Sequence, residues 1–480
     1  MAEFLTPDIC VIGGGAGGLA VARRARAFGA SVVLIEKGPL GGDSLNAAAL
    51  PSKALLAAGR RAQLLRSSAP FGIANAEPKI NARGVFDHVH EVVDAVGGYA
   101  TPEHLLALGV QLIGGEARFT DRQTVTVGDQ RIRARHTVIA TGARPVIPEI
   151  AGLETVPFFT SASILDNPRK LTHLVVIGGG PVGIELAQAF RRLGSEVTVV
   201  DIETPLGDID PELSEIALRR LVEEGVAILP FSRVTEVTAR SLGVGVTVEN
   251  AEGREVLDAS HILVAAGRVP NVDDLDLAKA GISRRQRGAP YLALKPDLRT
   301  SNPRVFAIGD AAGAAQHTHA AEHQADLVVR AALLGQRVRY DAGRIPTAIF
   351  TDPEIAEIGV TEPQFRTRGR PDRRVLRFSF AENDRARAER QSYGLVKVVT
   401  DKEGRLLGAG IVGTGAAEMI SLFGFAIGNG MRIAHFRNFI APYPTLGEVV
   451  QGLAAEAARS EVRGPLTRLM NAVRQRLPRR

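Results

Sequence analysis

A glycine-rich turn between an apolar run and a helical pattern occurs twice in this chain, and it constrains the fold more than any other feature. The first copy is PDICVIGGGAGGLAVARRARAFGASVVLIEKG, with apolar runs at Ile9 to Ile12 and Val32 to Ile35 and helical spacing from Ala20 to Phe28. The second copy is LVVIGGGPVGIELAQAFRRLGSEVTVVDIE, which starts with the apolar run Leu174 to Ile177. Each copy predicts strand, tight turn, helix and second strand. The chain is therefore expected to be an α/β protein with two Rossmann-like units.

The residues within each copy predict a dinucleotide site. The first glycine permits the turn, the second lets backbone approach a pyrophosphate, and the third lets helix and strand pack closely. These glycines are Gly13, Gly15 and Gly18 in the first copy and Gly178, Gly180 and Gly183 in the second. An acidic residue, Glu36 or Asp201, ends each second strand, where it can accept hydrogen bonds from an adenosine ribose. Asp201 and Glu203 would repel a 2′-phosphate, so the second site favours NADH over NADPH.

Composition excludes several classes of protein. Cys10 is the single cysteine of 480 residues, which excludes an intramolecular disulfide, a paired-thiol centre and a multi-cysteine metal site. It is most simply a buried, small apolar residue of the first strand. The net charge of +6 is too small to indicate nucleic acid binding. The apolar runs are too short to span a bilayer and the N-terminus fits neither a secretory signal nor a transit peptide, so a cytoplasmic location is expected.

Three later segments predict strands that return the chain to a sheet. They are VIATGARP at 138–145, LVAAGRVPN at 263–271 and TSNPRVFAIGDAAG at 300–313. The third contains an apolar run from Val305 to Ile308 and ends at Gly309-Asp310. A carboxylate in this position suits a polyhydroxyl chain, although the segment alone is equally typical of a plain turn.

The glycine fingerprint does not recur after about residue 345. FSFAEN and GLVKVVTDKEGRLLGAGIVG predict strands, and AAEMISLFGFAIGNGM predicts a helix, in an α+β unit suited to packing and self-association. The last twenty residues form a basic amphipathic segment, with Leu466, Leu469, Met470 and Val473 at helical spacing. Docking of this segment on a partner or within the subunit is favoured over a solvated tail and over contact with a membrane surface.

The motifs, taken in order from about residue 7 to 455, resemble those of a known family. IGGGAGG, GGDSLN, PSKALL, VIATGARP, VIGGGPVGIELA, AAGRVPN, VFAIGDAAG, FTDPEIAEIG and YPTLGEVV are similar to the FAD- and NAD(P)H-dependent pyridine nucleotide-disulfide oxidoreductases, in the branch of mercuric reductase-like and dihydrolipoamide dehydrogenase-like proteins. The resemblance implies a glutathione reductase-like homodimer whose active sites use both subunits. It implies an FAD-binding domain at 1–155 and 281–345, an NAD(P)H-binding domain at 156–280 and a dimerisation domain at 346–480.

The resemblance also implies the residues of the two cofactor sites. For FAD they are Gly13, Gly15, Gly18, Glu36, Lys37, Gly42, Asp43, Lys53, Thr141, Gly142, Gly309 and Asp310, and for the nicotinamide nucleotide Gly178, Gly180, Gly183, Glu185, Asp201 and Gly267. Lys53 and Glu185 match a pair that lies beside the flavin in relatives. A cation there stabilises the electron-rich reduced ring, and the carboxylate orients the cation.

Two departures from the family pattern decide the predicted chemistry. The redox loop of the family reads GGxCLNxxCxPSK, but Ser44 and Ala49 stand at its cysteine positions, and neither side chain can cycle between dithiol and disulfide. The acid–base histidine of the family is replaced by Tyr443, with Glu448 retained. A tyrosine, with an ordinary pKa of about 10, is a poor base at neutral pH. The sequence therefore predicts an oxidoreductase that passes electrons from the flavin directly to a quinone, a dye or a metal ion, in a space lined by Ser44, Ala49 and the second subunit's Tyr443 and Glu448.

The segment QHTHAAEH invites a metal-binding interpretation, because His319 and His323 would share a helix face. Its position directly after Asp310 favours instead a helix that begins beside the flavin, so no metal site is predicted. His319 is a candidate proton donor near the ring.

Two alternative functions stay open at this point. Pyridine nucleotide transhydrogenation needs no thiols, but Asp201 argues against binding of NADP(H). A non-catalytic flavoprotein that acts as a scaffold or redox sensor is the other, and the retained Lys53 and Glu185 argue against it.

Overall fold

The structure of the protein is a computed structural model that describes residues 4–286, 290–313, 316–367, 369 and 372–462, without the side chains of 460–462. The chain divides into two compact units, Met1–Pro205 with Gly225–Ala342, and Leu206–Glu224 with Gly343–Arg480. The predicted basic segment with Leu466, Leu469, Met470 and Val473 lies outside the described residues. None of the helices in the described ranges combines the length and the apolar character needed to cross a membrane.

The strands and helices are numbered along the chain. The strands are β1 Phe4–Leu5, β2 Ile9–Ile12, β3 Val32–Glu36, β4 Val110–Gly114, β5 Arg118–Phe119, β6 Val125–Val127, β7 Gln130–Ile132, β8 His136–Ile139, β9 Ala143–Pro145, β10 Phe159–Thr160, β11 His173–Ile177, β12 Glu196–Val200, β13 Ala227–Leu229, β14 Arg233–Arg240, β15 Gly243–Asn250, β16 Gly253–Ala259, β17 His261–Val264, β18 Arg268–Pro270, β19 Val305–Ala307, β20 Thr347–Ile349, β21 Glu354–Gly359, β22 Arg374–Ser379, β23 Leu395–Thr400 and β24 Leu406–Gly413. The α-helices are α1 Ala16–Ala27, α2 Gly42–Asn46, α3 Leu50–Arg66, α4 Ala82–Val96, α5 Pro102–Ala107, α6 Pro181–Arg192, α7 Pro211–Glu223, α8 Thr318–Leu333, α9 Glu362–Thr367, α10 Asp384–Ala388, α11 Ala416–Gly428 and α12 Val449–Val462.

The first unit contains a parallel sheet in the order β19-β8-β2-β3-β4. Its central strand β2 is buried along its whole length, as expected for a continuous apolar run in a sheet covered on both faces. Ile9 and Val11 pack in the core formed with α1 and α8, while Cys10 and Ile12 pack in the core on the opposite face. The strand predicted near residue 305 is β19, which pairs with β8 and so joins the same sheet.

A second parallel sheet in the first unit repeats this design in the order β10-β17-β11-β12-β13. In both copies the helix begins directly after the glycine turn, so α1 starts at Ala16, earlier than the predicted helical spacing from Ala20. Where the chain passes between the two sheets, β9 and β18 form an antiparallel ribbon that pairs Arg268 with Pro145 and Val269 with Arg144. The predicted α/β class with two Rossmann-like sheets is confirmed, while the predicted domain boundaries stay a prediction.

The second unit is built on a mainly antiparallel sheet in the order β20-β21-β24-β23-β22. Helices α11 and α12 contribute to its apolar core. Helix α7 follows β12 in the chain but packs on this sheet, where a Cβ on Gly410 would come within 2.6 Å of Leu213 Cδ1. A glycine at this position therefore lets the helix approach β24 closely.

The predicted strand FSFAEN is wrong in its second half. Strand β22 ends at Ser379, whose side chain accepts a hydrogen bond from Ala381 N at 3.2 Å. This cap starts a 3₁₀ turn at Phe380–Glu382, which places the Phe380 ring in the core. The predicted DKEG turn is present, because the Asp401 carboxylate accepts hydrogen bonds from Glu403 N and Arg405 N.

Candidate active site

Two glycines of the first turn, Gly13 and Gly18, have no room for a side chain, whereas Gly15 between them does. A Cβ on Gly13 would lie 2.3 Å from Ala140 O, and one on Gly18 would lie 1.8 Å from Gly13 O. At Gly15, however, the nearest atom to an added Cβ is Gly42 Cα at 3.8 Å. The glycines thus form a shallow cradle between the turn and the first residue of α2, which is the shape a pyrophosphate requires.

The second glycine turn has the same geometry. Added Cβ atoms would lie 2.4 Å from Ala265 O at Gly178 and 2.1 Å from Gly178 O at Gly183, but none of the described protein atoms lies within 4 Å at Gly180. The open glycine is again the second of the three. Both turns are therefore shaped for a dinucleotide.

Backbone amides orient the acidic residue of each copy. The Glu36 carboxylate accepts hydrogen bonds from Gly14 N at 2.5 Å and from Lys37 N and Gly38 N at 2.7 Å. The Asp201 carboxylate accepts hydrogen bonds from Gly179 N at 2.5 Å and Glu203 N at 2.8 Å. Each acid is therefore fixed beside its glycine turn. The Lys37 ammonium lies 3.4 Å from Glu116 in an exposed ion pair.

A buried hydroxyl in the first copy indicates that this site fits a ligand. Thr141 Oγ1 is buried and has no hydrogen-bond partner among the described residues. The Thr141 Cα would lie 3.0 Å from a Cβ on Gly13, so this hydroxyl belongs to the glycine turn. A buried hydroxyl without a partner is costly unless a ligand satisfies it. The neighbouring Gly142 has a φ of +68° and open space where a side chain would be. These residues fit a bound dinucleotide such as FAD.

Gly309 and Asp310 lie in the 3₁₀ turn that follows β19. Gly309 N donates a hydrogen bond to Gln324 Oε1 of α8 at 2.6 Å, which fixes the turn against that helix. Burial raises the pKa of the Asp310 carboxyl, and the charge of Asp43 adds to the shift, while Arg268 opposes it. Gly267 directly precedes Arg268, with a φ of +109° and open space beside it. Both acids and Gly267 were predicted as site residues from the sequence, whereas Arg268 was missed.

Lys53 and Glu185 are brought together by the packing of α3 on α6. A Cβ on Gly59 of α3 would lie 3.3 Å from Ala189 O of α6, so the two helices approach closely. Lys53 Nζ lies 2.7 Å from Glu185 Oε2, with 32% of the lysine side chain and 7% of the glutamate side chain exposed. The glutamate is therefore buried under the lysine instead of lying on a helix surface.

At one cysteine position of the family pattern, this chain has a serine whose hydroxyl contacts another hydroxyl. Ser44 in α2 and Thr318 at the start of α8 lie with their hydroxyl oxygens 2.7 Å apart. Ala49 is the N-cap residue of α3. Cys10 is fully buried in β2, where burial raises its thiol pKa to about 12. A thiol with such a pKa stays protonated and unreactive at neutral pH.

Two histidines stand at the beginning of α8. His317 is the N-cap residue, and its ring stacks on that of His319 with 5.2 Å between centroids and 7° between planes. Burial lowers the pKa of His317 to about 4, and the charges of His319 and Lys53 add to the shift, so its imidazole is neutral at pH 7. His319 was chosen from the sequence, and a helix was predicted to begin in this segment. The stacking of His317 on His319 and the contact of Thr318 with Ser44 were not predicted.

His323, the other histidine of the predicted helix face, lies with its ring 6.4 Å from that of Tyr340. Across the described ranges, no three histidine, cysteine, aspartate or glutamate side chains are grouped as metal ligands.

Tyr443 and Glu448 belong to the second unit. Tyr443 is 73% exposed and its hydroxyl donates a hydrogen bond to Asp384 at 3.2 Å, which, together with the charge of Asp384, raises the tyrosine pKa. The Glu448 carboxylate accepts a hydrogen bond from Thr445 N at 3.1 Å and so caps the following turn. Their predicted place in the active site of a partner subunit stays a prediction.

Comparisons with known families and proteins agree with the predicted resemblance. The family model described as pyridine nucleotide-disulphide oxidoreductase matches residues 7–325, and that of the family's dimerisation domain matches residues 345–454. Mercuric reductase from Lysinibacillus sphaericus is 32% identical over 446 residues, which cover 92% of this chain and 81% of that protein. Dihydrolipoyl dehydrogenase from Geobacillus stearothermophilus is 35% identical over 463 residues, which cover 94% of this chain and 96% of that protein.

A solved structure is similar along almost the whole chain. The Cu(II) complex of the HOCl-induced flavoprotein disulfide reductase RclA from Escherichia coli has a TM-score of 0.82 and 27% identity, covering 93% of this chain and 99% of that one. The predicted family resemblance and the predicted flavoprotein fold are thereby confirmed.

Proposed function

Since the chain belongs to the pyridine nucleotide-disulphide oxidoreductase family and is a flavin-dependent oxidoreductase, we propose that it oxidises NADH and delivers the electrons from FAD directly to a small acceptor. The dimerisation domain supports a homodimer. The acceptor is a quinone, a dye or a metal ion, and no dithiol takes part.

One observation carries the proposal: the redox loop contains no sulfur. Ser44 and Ala49 occupy the two cysteine positions of the family pattern, and the single cysteine, Cys10, is fully buried in a strand. A hydroxyl and a methyl cannot be oxidised reversibly to a disulfide. Electrons that enter the flavin must therefore leave it by direct transfer.

The residues of the first copy are suited to hold FAD. The cradle at Gly15 and Gly42 receives the pyrophosphate, Glu36 accepts hydrogen bonds from the adenosine ribose, and Thr141 gains a partner for its buried hydroxyl. Bound FAD supplies hydride acceptance from a nicotinamide and the release of electrons to an oxidant. Lys53 places a positive charge that Glu185 orients, which favours an electron-rich neighbour.

The residues of the second copy favour NADH. Asp201 accepts hydrogen bonds from ribose hydroxyls, Glu203 follows two residues later, and the segment from 201 to 205 contains no lysine or arginine. A 2′-phosphate next to these carboxylates would be repelled without a compensating cation. NADPH is therefore expected to bind more weakly.

The histidine pair next to the redox loop suits two acceptor classes. A neutral imidazole such as His317 can donate a hydrogen bond to a quinone carbonyl or bind a copper ion through nitrogen. RclA has been solved as a Cu(II) complex, and so has a cysteine-to-serine mutant of that protein. Cu(II) and a soluble benzoquinone are therefore the two acceptors to test first.

Anaerobic stopped-flow measurement separates the two half-reactions. We expect NADH to bleach the flavin faster than NADPH does, and the reduced protein to be reoxidised by the quinone or Cu(II) but not by lipoamide. Cys10→Ala is the matched control, and both half-reactions should keep their rates in it. Loss of reoxidation in this control, or rapid turnover with lipoamide, would contradict the proposal.

Two other results would favour the alternative functions. A flavin that NADH does not bleach indicates a scaffold or sensor. Reduction of an NAD analogue by NADPH, with neither quinone nor Cu(II) accepting electrons, indicates transhydrogenation.

A further inference from the structure

Arg268 contacts two carboxylates that lie on the flavin side of the first unit. It begins β18, and 16% of its side chain is exposed. Its guanidinium forms an ion pair with the Asp43 carboxylate, lies 3.5 Å from Asp310 Oδ2, and donates a hydrogen bond to Ala143 O at 2.8 Å. One side chain thus joins three distant segments of the chain.

The carboxylate partners of Arg268 belong to elements already placed at the flavin cradle. Asp43 follows Gly42, whose backbone faces Gly15 of the glycine turn. Asp310 follows Gly309 in the turn after β19, which the family resemblance assigns to FAD. The guanidinium therefore lies between Asp43 of α2 and Asp310 of the turn after β19, two residues that the family resemblance assigns to the FAD site.

The position of Arg268 is important because several negative charges lie close to it. Asp43 and Asp310 carry two negative charges, and the pyrophosphate of FAD adds two more. Like charges held this close in a partly buried site repel strongly unless a cation lies between them. Burial raises the pKa of the Asp310 carboxyl, Arg268 opposes this shift and Asp43 adds to it.

We propose that Arg268 is a positioning residue of the flavin site, which neutralises Asp43 and Asp310 together and so allows a pyrophosphate to bind beside them. This role goes beyond the proposed acceptor reaction and does not depend on it. Arg268 also fixes α2, the helix that carries Ser44, in the absence of a disulfide that would hold this loop.

The neighbouring ribbon offers a matched control. Arg144 lies in β9, directly across from Val269, and pairs with Asp273 at 3.0 Å. About half of each side chain is exposed in this pair, 51% for Arg144 and 47% for Asp273. Arg144→Met therefore removes an arginine from the same ribbon without removing a charge from the flavin cradle.

The test is release of flavin from the holoprotein, followed as the rise of free-FAD fluorescence after dilution, without nicotinamide or acceptor. We expect Arg268→Met to raise the FAD dissociation constant at least about tenfold, since it leaves two carboxylates uncompensated. Arg268→Lys should recover part of the affinity, and Arg144→Met should stay within about twofold of the wild type.

A double-mutant cycle shows whether charge is the cause. If Arg268 acts by neutralising Asp43, then adding Asp43→Asn to Arg268→Met should recover much of the affinity for FAD that Arg268→Met loses. No recovery in the double variant, or an unchanged dissociation constant in Arg268→Met, would overturn the proposal. Flavin release is independent of the electron acceptor, so this result and that of the proposed function can fail separately.

Discussion

Two lysines, one in each unit, lie at the same distance from a carboxylate oxygen but differ in how much of their side chains is exposed. Lys53 Nζ lies 2.7 Å from Glu185 in the first unit, and Lys397 Nζ lies 2.7 Å from Asp210 in the second. The Lys53 side chain is 32% exposed, whereas that of Lys397 is 5% exposed. The distance alone therefore does not distinguish an ion pair that can meet a ligand from one that only holds the fold.

The surroundings of Lys397 explain the difference. Its ammonium also lies 2.9 Å from Glu212 and 2.7 Å from Glu362, so carboxylates of the α7 segment and of α9 converge on one lysine of β23. All three donor positions of an ammonium can be used by these oxygens. The cluster of Lys397, Asp210, Glu212 and Glu362 therefore fixes α7 on the sheet of the second unit, and we call it the sealed cluster.

The largest expected effect comes from breaking the sealed cluster. Lys397→Met leaves the buried Asp210 and Glu362 without their shared cation, and loss of one partner of a buried ion pair typically costs about 3–5 kcal/mol. Denaturant unfolding should show a loss of this size, while NADH bleaches the flavin of the folded variant at the wild-type rate. Lys402→Met, at an exposed lysine that lies 3.6 Å from Glu403, is the control and should change stability by less than about 0.5 kcal/mol. A loss below about 1 kcal/mol in Lys397→Met would mean that the cluster is dispensable.

Lys53→Met should give the opposite pattern. Removal of one preorganised charge next to a reacting group typically slows the chemical step about 10²–10³-fold, and we expect flavin reduction by NADH to slow by about this factor. The variant also removes the Lys53 ammonium from the buried Glu185 carboxylate, so Lys53→Met/Glu185→Gln is the control for stability. If the double variant regains the stability but not the rate, the lysine acts on the hydride transfer. Recovery of the rate as well would contradict the proposed role of Lys53.

The elements that could be predicted from sequence are those whose determinants are local. The run Ile9–Ile12, the glycines at 13, 15 and 18 and the acid at 36 lie within one short segment. The contact of Gly18 with Gly13 O is also local, whereas Gly13 meets Ala140 O from a distant part of the chain. The same holds for the second copy. Because each copy folds as a strand, turn and helix in succession, its pattern indicates both the fold and the ligand class.

The contacts that were missed join distant segments. Arg268 and Asp43 are 225 residues apart, and Lys397 and Asp210 are 187 residues apart. Nothing in LVKVVT distinguishes a buried lysine from one on the exposed face of a strand, because its burial depends on where α7 and α9 pack. The contact of Lys53 with Glu185, 132 residues away, was predicted only through the family resemblance. The local pattern therefore predicts the glycine cradle, whereas the packing of the whole unit determines which charged side chains form ion pairs.

A third prediction concerns the pH dependence of stability that arises from Glu357, a carboxyl next to the sealed cluster. Glu357 accepts a hydrogen bond from Asp210 N at 3.0 Å, and burial raises its carboxyl pKa to about 7. The folded state therefore binds this proton more tightly than the unfolded chain does. Stability should fall as the pH rises from about 4.5 to about 7, by up to about 3 kcal/mol, and should then level off.

Glu357→Gln tests this sign. The variant should equal the wild type near pH 4.5 and become more stable than it above pH 7, as measured by urea unfolding at a series of pH values. Glu362 has the opposite dependence: burial alone would raise its pKa, but hydrogen bonds from Lys397 and Arg366 lower it to about 2, so its contribution is lost as the pH falls from about 4.5 through 2. A Glu357→Gln variant that is less stable than the wild type at pH 8 would show that Glu357 is ionised in the native cluster.

The smallest expected effect lies at the rim of the sealed cluster. Arg377 donates hydrogen bonds to both oxygens of Glu212 at 3.0 Å and to Glu362 at 2.6 Å, but 40% of its side chain is exposed. Water screens an ion pair at this exposure, so Arg377→Met should cost about 1 kcal/mol or less and should cost less at high salt. Unfolding at low and high ionic strength measures both quantities. If Arg377→Met costs as much stability as Lys397→Met, then the exposed arginine matters to the α7 segment as much as the buried lysine does. Burial would then not explain which cation of the cluster stabilises the second unit.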